Sequence, residues 1–401
     1  MYDRARWAQI VRLLGPAFVA SVAYVDPGNF AANFSAGAQH GYLLLWVLVL
    51  ANLMAMIVQY LSAKIGIVTG KSLPELMGER LGGKWRFLYW LQAEGVAIAT
   101  DIAEVVGGAL ALYLLFGLPL PLGGLLTAIV SMGLLVLYTK RSQKVFERVI
   151  IGLLLLLPVG FFVGLVQHPP IVHEVAVGLV PRFDGQETIL LAVAMLGATV
   201  MPHVVYLHSS LSRDRFSGRR IKTIPHLLKA TRFDIVIAMA FAGLVNISML
   251  LFAASAVRGL PSESLEQIYR SIGESSGGIV AILFAVGLLI SGFASTAVGS
   301  QAGATIMAGL YNKRISLFTR RAITVIPAII LLMFGIDPTV TLIISQAALS
   351  FGIPFALIPL LILTADRRLM HDYINSRKLT YVAMTIVLLC TVLNMLLLMM
   401  I

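Results

Sequence analysis

The sequence predicts an all-α polytopic membrane protein of eleven transmembrane helices, built as a 5+5 inverted repeat with one helix added and with helices 1 and 6 discontinuous. Three observations carry this. The chain is 59% hydrophobic and 12% charged, where soluble domains are about 25% charged, and its mean hydropathy is +0.91. Its basic residues gather in alternate loops. Two prolines, Pro27 and Pro202, interrupt apolar segments at matching places, each after a residue able to bind a metal.

Eleven apolar segments are long enough to cross a bilayer, at roughly 10–36, 43–68, 87–116, 121–139, 149–167, 187–211, 233–257, 277–310, 320–336, 340–364 and 379–401. The first is too long for a cleavable signal peptide and carries Asp26 and Pro27 where such a peptide has its apolar centre. The longest loops, roughly 168–186, 212–232 and 258–276, read as short surface connections, so residues 1–401 form a single transmembrane domain. The single Cys390 excludes an intrachain disulfide and a cysteine metal cluster, and reads as a small apolar residue of the last span.

The basic residues set the orientation. Of the 30 Lys and Arg, only Arg182, Arg258 and Arg270 fall on the side opposite the N-terminus; the others lie before span 1, between spans 2 and 3, 4 and 5, 6 and 7, and after spans 8 and 10, with Lys64 near the end of span 2. The positive-inside rule then puts the N-terminus in the cytoplasm and, with an odd span count, the C-terminus outside. A wrong span count would scramble this asymmetry. It also accounts for the net charge of +11 without nucleic acid. The basic 213–232 loop could touch anionic lipid, but orienting the chain is the simpler role. A plasma-membrane location is expected.

The interrupted spans are the first and the sixth, so spans 1–5 and 6–10 make equal blocks, about 1–168 and 187–365, with 379–401 outside them. Five is odd, so the second block enters from the opposite face. Paired interruptions in two inverted halves point to a secondary transporter with a site near mid-membrane.

Each proline lacks the N–H owed to the carbonyl four residues back, that of Ala23 for Pro27 and of Ala198 for Pro202. Within a membrane such carbonyls survive where they line a cavity or find other donors. Asp26, Asn29, Met201 and the carbonyls of Ala23 and Ala198 then form a candidate cation site of oxygen and sulfur donors. The competing readings are structural: Asp26 and Asn29 as caps of a half-helix starting at Gly28, and Met201 as packing. Against them stand the cost of a carboxylate at mid-membrane and the matching positions of Asp26 and Met201 before the prolines. Magnesium and calcium prefer oxygen alone, whereas a thioether favours softer ions. Manganese and ferrous iron accept such a mixed set, and a site without histidine or thiolate releases its metal readily.

On span 3, Glu94, Asp101 and Glu104 share one face, within about 80° at 3.6 residues per turn. Three such acids need shared protons or bases. His203 follows Pro202, and Arg320 and Arg321 begin span 9. These residues read as a proton route from Asp26 and His203 through Glu104 and Asp101, with a static polar network between helices as the alternative.

Asp26-Pro27-Gly28-Asn29, Met201-Pro202-His203 with Tyr206-Leu207-His208-Ser209-Ser210, and Thr100-Asp101-Ile102-Ala103-Glu104 resemble the Nramp family (natural resistance-associated macrophage proteins). Ser345-Gln346, Leu349-Ser350-Phe351 and Arg320-Arg321 match it too, so the resemblance covers nearly the whole chain. It implies the ten-helix inverted repeat of the amino-acid transporter (LeuT/APC) type with one added helix, and proton-coupled symport of divalent transition metals. It implies metal binding by Asp26, Asn29, Met201 and the Ala198 carbonyl, with Ala23 joining in one transport state and Gln346 on closure. It carries the proton path onto His203, Glu104, Asp101, Glu94, Arg320 and Arg321. Val204 departs from the asparagine usual after Met-Pro-His, which bears on gating and not on a ligand. Met201 separates the chain from the family's magnesium-carrying branch.

A carrier working as a monomer in the lipid bilayer, with manganese or iron and protons as its cargo and no resident cofactor, is therefore expected. An enzyme is not: Val177 stands where His173-Glu174 would need the second histidine of a zinc-protease motif. A cation-coupled amino-acid transporter of the same fold would place Asp26 against its substrate's carboxylate. An uncoupled metal channel would share the metal site and lack proton coupling.

Overall fold

The computed structural model describes residues 15–140, 152–218, 223–313 and 316–400. Among the described residues the helices, in chain order, are α1 (Pro16–Ala23), α2 (Pro27–His40), α3 (Leu45–Thr69), α4 (Leu73–Arg80), α5 (Gly83–Phe116), α6 (Leu120–Lys140), α7 (Val159–Gln167), α8 (Val172–Gly178), α9 (Gly185–Thr199), α10 (Pro202–Phe216), α11 (Ile224–Ala256), α12 (Leu265–Ser276), α13 (Gly278–Tyr311), α14 (Leu317–Met333), α15 (Pro338–Ala365), α16 (Arg367–Met370) and α17 (Arg377–Met400). Every expected span coincides with helix. Span 1 is α1 with α2, span 6 is α9 with α10, and span 5 is described only from residue 152. Expected basic loop residues at 4–12, 141–148, 219–222 and 314 lie outside the described residues.

The architecture is the discontinuous-helix bundle that the sequence predicts. Helices α5 and α13 pack along each other, α9 lies on α15, and α11 carries α2. Apolar side chains such as Leu388 and Ile362 point outward, 62% and 59% exposed, as a lipid-facing surface requires. Small residues bring the backbones together. At Gly197 a Cβ would strike the backbone of Gln346, and at Gly28 it would strike the Gln346 side chain, so α15 closes directly onto both broken helices.

Two expectations need correction. The paired prolines predict unwinding at Asp26–Asn29 and near Ala198–Pro202, but in the first break helix resumes at Pro27, and only Tyr24–Asp26 are non-helical. Likewise Ala198 and Thr199 are still helical, leaving Val200 and Met201 as the second break. A proline at the first helical position needs no N–H and already has the right φ, so it starts a half-helix instead of prolonging the gap. Secondly, the connections are not plain loops. The 258–276 segment contains α12, with Ser264 accepting from the Gln267 N–H at 3.3 Å and Leu265, Ile268 and Ile272 buried at helical spacing. Helix α8 forms within 168–186, and α11 begins at Ile224, ahead of the expected 233.

Candidate metal site and polar network

The breaks meet through side chains. Asp26 is the N-cap of α2, its Oδ1 accepting from the Asn29 N–H at 2.8 Å and from Asn29 Nδ2 at 2.9 Å. The same Asn29 amide donates to the Ala198 carbonyl at 3.0 Å. Gln346 Nε2 donates to Asp26 Oδ2 at 3.2 Å. Within the first break, the Tyr24 carbonyl accepts from Asn246 at 2.7 Å and the Val25 carbonyl from Ser291 at 2.6 Å. These donors come from α11 and α13 and hold the bend open. Pro27 offers nothing to the carbonyl of Ala23.

Asp26, Asn29, Ala198, Met201, Gln346 and Ala23 are all buried. Two of its oxygens, Asn29 Oδ1 and Gln346 Oε1, have no hydrogen-bond partner. Buried amide oxygens normally have one. Both amides turn their NH₂ groups towards Asp26. Rotating them by half a turn would present those oxygens beside the carboxylate and the Ala198 carbonyl, a hard-donor set for a cation. Met201 occupies the N-cap of α10, as Asp26 does that of α2. A methionine cannot cap, and no side-chain capping bond forms there. The capping account of Asp26 is therefore correct as far as it goes, whereas capping leaves Met201 unexplained.

The acids of α5 meet bases. Arg321 is fully buried and pairs with Asp101 in a short contact and with Glu104 at 3.4 Å. It also donates to Ser131 at 3.2 Å and Thr296 at 3.3 Å. Arg320 pairs separately with Glu94 at 2.8 Å. His203 makes no hydrogen bond to Asp26. Its Nδ1 lies 3.3 Å from Thr100 Oγ1, one residue before Asp101, and its Nε2 has no partner. Thr100 enters the sequence reading only as part of the family motif, without a role, and Ser131 and Thr296 not at all, because a hydroxyl in a long helix is an ordinary residue until its partner is known. A further line joins Tyr24, Gln59 and His208, of which the sequence marks only His208, within the family motif: Gln59 donates to the Tyr24 hydroxyl, and its Oε1 lies 2.7 Å from His208 Nδ1.

Further ion pairs lie towards the two faces. On the basic side Arg213 joins Glu75, and Arg80 joins Asp366 at 2.8 Å. The Arg80 hydrogen bond, then the Arg368 N–H, holds the Asp366 carboxyl below its ordinary pKa. On the other side Arg258 pairs with Glu174 at 2.9 Å.

A closed helical bundle whose two broken helices converge on one carboxylate defines a membrane transporter of the inverted-repeat class. The family model for natural resistance-associated macrophage protein-like chains matches residues 17–400. The "Divalent metal cation transporter MntH" of Mycobacterium tuberculosis is 52% identical over 390 residues, 96% of this chain and 90% of that protein. A solved structure of the Eremococcus coleocola manganese transporter superposes with a TM-score of 0.87 at 29% identity, covering 97% of this chain and 86% of that one. MhsT, solved with L-phenylalanine, shares the fold alone, with a TM-score of 0.63 at 16% identity over 95% of this chain and 98% of that one. The chain belongs to the Nramp family.

Proposed function

We propose that this protein imports divalent transition-metal ions, manganese and ferrous iron, by proton-coupled symport with alternating access. The observation that carries the reading is the buried Asp26 carboxylate, held by the amides of Asn29 and Gln346, whose own oxygens lack partners. The metal is cargo, held by Asp26, Asn29, Met201 and the Ala198 carbonyl, with the Ala23 carbonyl in one state and Gln346 upon closure. Asp26 supplies the only formal charge of this set, which stabilises a dehydrated divalent ion without holding it irreversibly. The relatives, a divalent metal cation transporter and a manganese transporter, support a divalent metal as the cargo.

Protons pass from Asp26 and His203 by way of Thr100 to Asp101 and Glu104, with Arg321 balancing the charge; Glu94 and Arg320 continue the path to the basic side. The two blocks, 1–168 and 187–365, move against each other about the site. The protein sits in the plasma membrane as a monomer, N-terminus in the cytoplasm and C-terminus outside.

Proteoliposomes containing the purified protein provide the test. An imposed pH gradient, acidic outside the membrane face that takes up metal, should drive manganese in against its own gradient. Uptake that only equilibrates manganese, with no response to the pH gradient, would make the protein an uncoupled metal channel.

A further inference from the structure

Helices α15 and α17 are joined at one level and part at another. Pro354 lies inside α15 and cannot donate to the Ser350 carbonyl. Asn394 of α17 supplies the missing donor at 2.9 Å, and Ser350 Oγ donates back to Asn394 Oδ1 at 2.6 Å. Beyond this joint α15 carries a second proline, Pro359, and the helices leave an outward-facing groove of 560 Å³. Its walls include Ile358, Ile362, Met384 and Leu388, and it runs from Thr380 to Thr391. That stretch of helix is about 16 Å long, close to half of a hydrocarbon core about 30 Å thick. The groove is therefore one leaflet deep, in the leaflet on the side of the basic loops.

Its mouth is positive. Arg377, Thr380, Met384, Leu388 and Thr391 follow one another three or four residues apart, so Arg377 extends the groove's own stripe of α17. Arg367 and Arg368 follow the groove-lining Asp366 in the chain, Lys378 follows Arg377, and all three are exposed. Arg377 and Lys378 occupy the first turn of α17, where no acidic residue stands and where the helix dipole disfavours cations. Of the nearby acids, Asp366 lines the groove but is already bonded to Arg80 at 2.8 Å and to the Arg368 N–H at 2.9 Å. Asp372 is exposed on the following turn.

We propose that this groove binds one anionic phospholipid of that leaflet. An acyl chain lies between α15 and α17, and the phosphate sits at Arg377 with Lys378, Arg367 and Arg368 around it. An apolar slot of single-leaflet depth with unopposed cations at its mouth matches a lipid that is apolar along its length and negative at its end.

Native mass spectrometry of the whole protein, stripped of copurified lipid in detergent, tests this. Phosphatidylglycerol and phosphatidylcholine with identical chains are the probes. One phosphatidylglycerol should be retained about fivefold better than phosphatidylcholine, the effect of a basic side chain at an anionic surface. Arg377→Gln with Lys378→Gln should abolish that preference. Met384→Trp, at a half-exposed wall position that leaves the core untouched, should reduce retention of both lipids. Equal retention of the two lipids by the parent protein would overturn the proposal. So would retention unchanged in either variant, or a dimer of the chain that Met384→Trp dissolves.

Discussion

Asn29 donates its side-chain amide to the carbonyl of Ala198, 3.0 Å away and 169 residues later in the chain, while holding Asp26 with the same group. One amide thus links the half-helix after the first break to the half-helix before the second. A cation drawn to Asp26 competes with this amide for both of its acceptors. If Asp26 holds the metal as proposed, its binding would break this link between the two broken helices.

Asp26→Ala should abolish metal binding and transport. The variant would leave a divalent ion with dipoles only, and truncating one member of a buried charge pair costs about 2–5 kcal/mol or more. Calorimetric titration with manganese should show affinity down by at least about thirtyfold, the lower end of that range. Near-normal uptake at matched expression would place the site elsewhere.

Proton coupling should separate from metal affinity. Asp101→Asn and Glu104→Gln alter the Arg321 network without touching a proposed ligand, so manganese affinity should stay within a few-fold while pH-driven uptake falls. His203 variants should shift the pH dependence of uptake. If uptake by Asp101→Asn still follows an imposed pH gradient as the parent does, Asp101 serves only to hold α5 to α14.

Gly197→Ala tests the closure of α15 on the second broken helix. The new Cβ would meet the backbone of Gln346, which cannot swing aside. Overpacking of this kind costs about 1–3 kcal/mol, and the thermal midpoint in detergent should drop accordingly. Gly95→Ala, on open helix surface, is the control and should leave it unchanged or slightly raised. Equal behaviour of the two variants would refute the close-approach account.

Met201→Ala should narrow the gap between soft and hard cations. Manganese or cadmium would lose a weak thioether contact, while calcium and magnesium would gain room for water. A single small pocket contact shifts such discrimination by about 1–3 kcal/mol, readable in competition binding. Unchanged exclusion of calcium and magnesium would assign selectivity to site size.

The spans and both breaks were legible because a bilayer imposes a length on every apolar run and because proline acts on its own helix. Asp26 and Met201 stood out for the same local reason. The extent of each break was not legible: whether Gly28 and Asn29 unwind depends on Asp26 reaching the Asn29 N–H. The donors that hold the bend, Asn246 and Ser291, look like any polar residue of a long helix, since their partners lie more than 200 residues away. Gln346 was reached only by resemblance, because its place beside Asp26 depends on Gly28 and Gly197 leaving space from two directions. The pairing of Arg321 with Asp101 and Glu104, and of Arg320 with Glu94, required knowing how α14 lies on α5.

The final helix stands outside the paired blocks, yet Asn394 completes a bond that Pro354 denies to α15. Proline at 354 and asparagine at 394 therefore complement each other. Losing the asparagine alone leaves a buried carbonyl without its donor; losing the proline alone gives that carbonyl two claimants. α15 is also the helix that brings Gln346 to Asp26. The added helix is thus joined, through one carbonyl of α15, to the helix that closes the site.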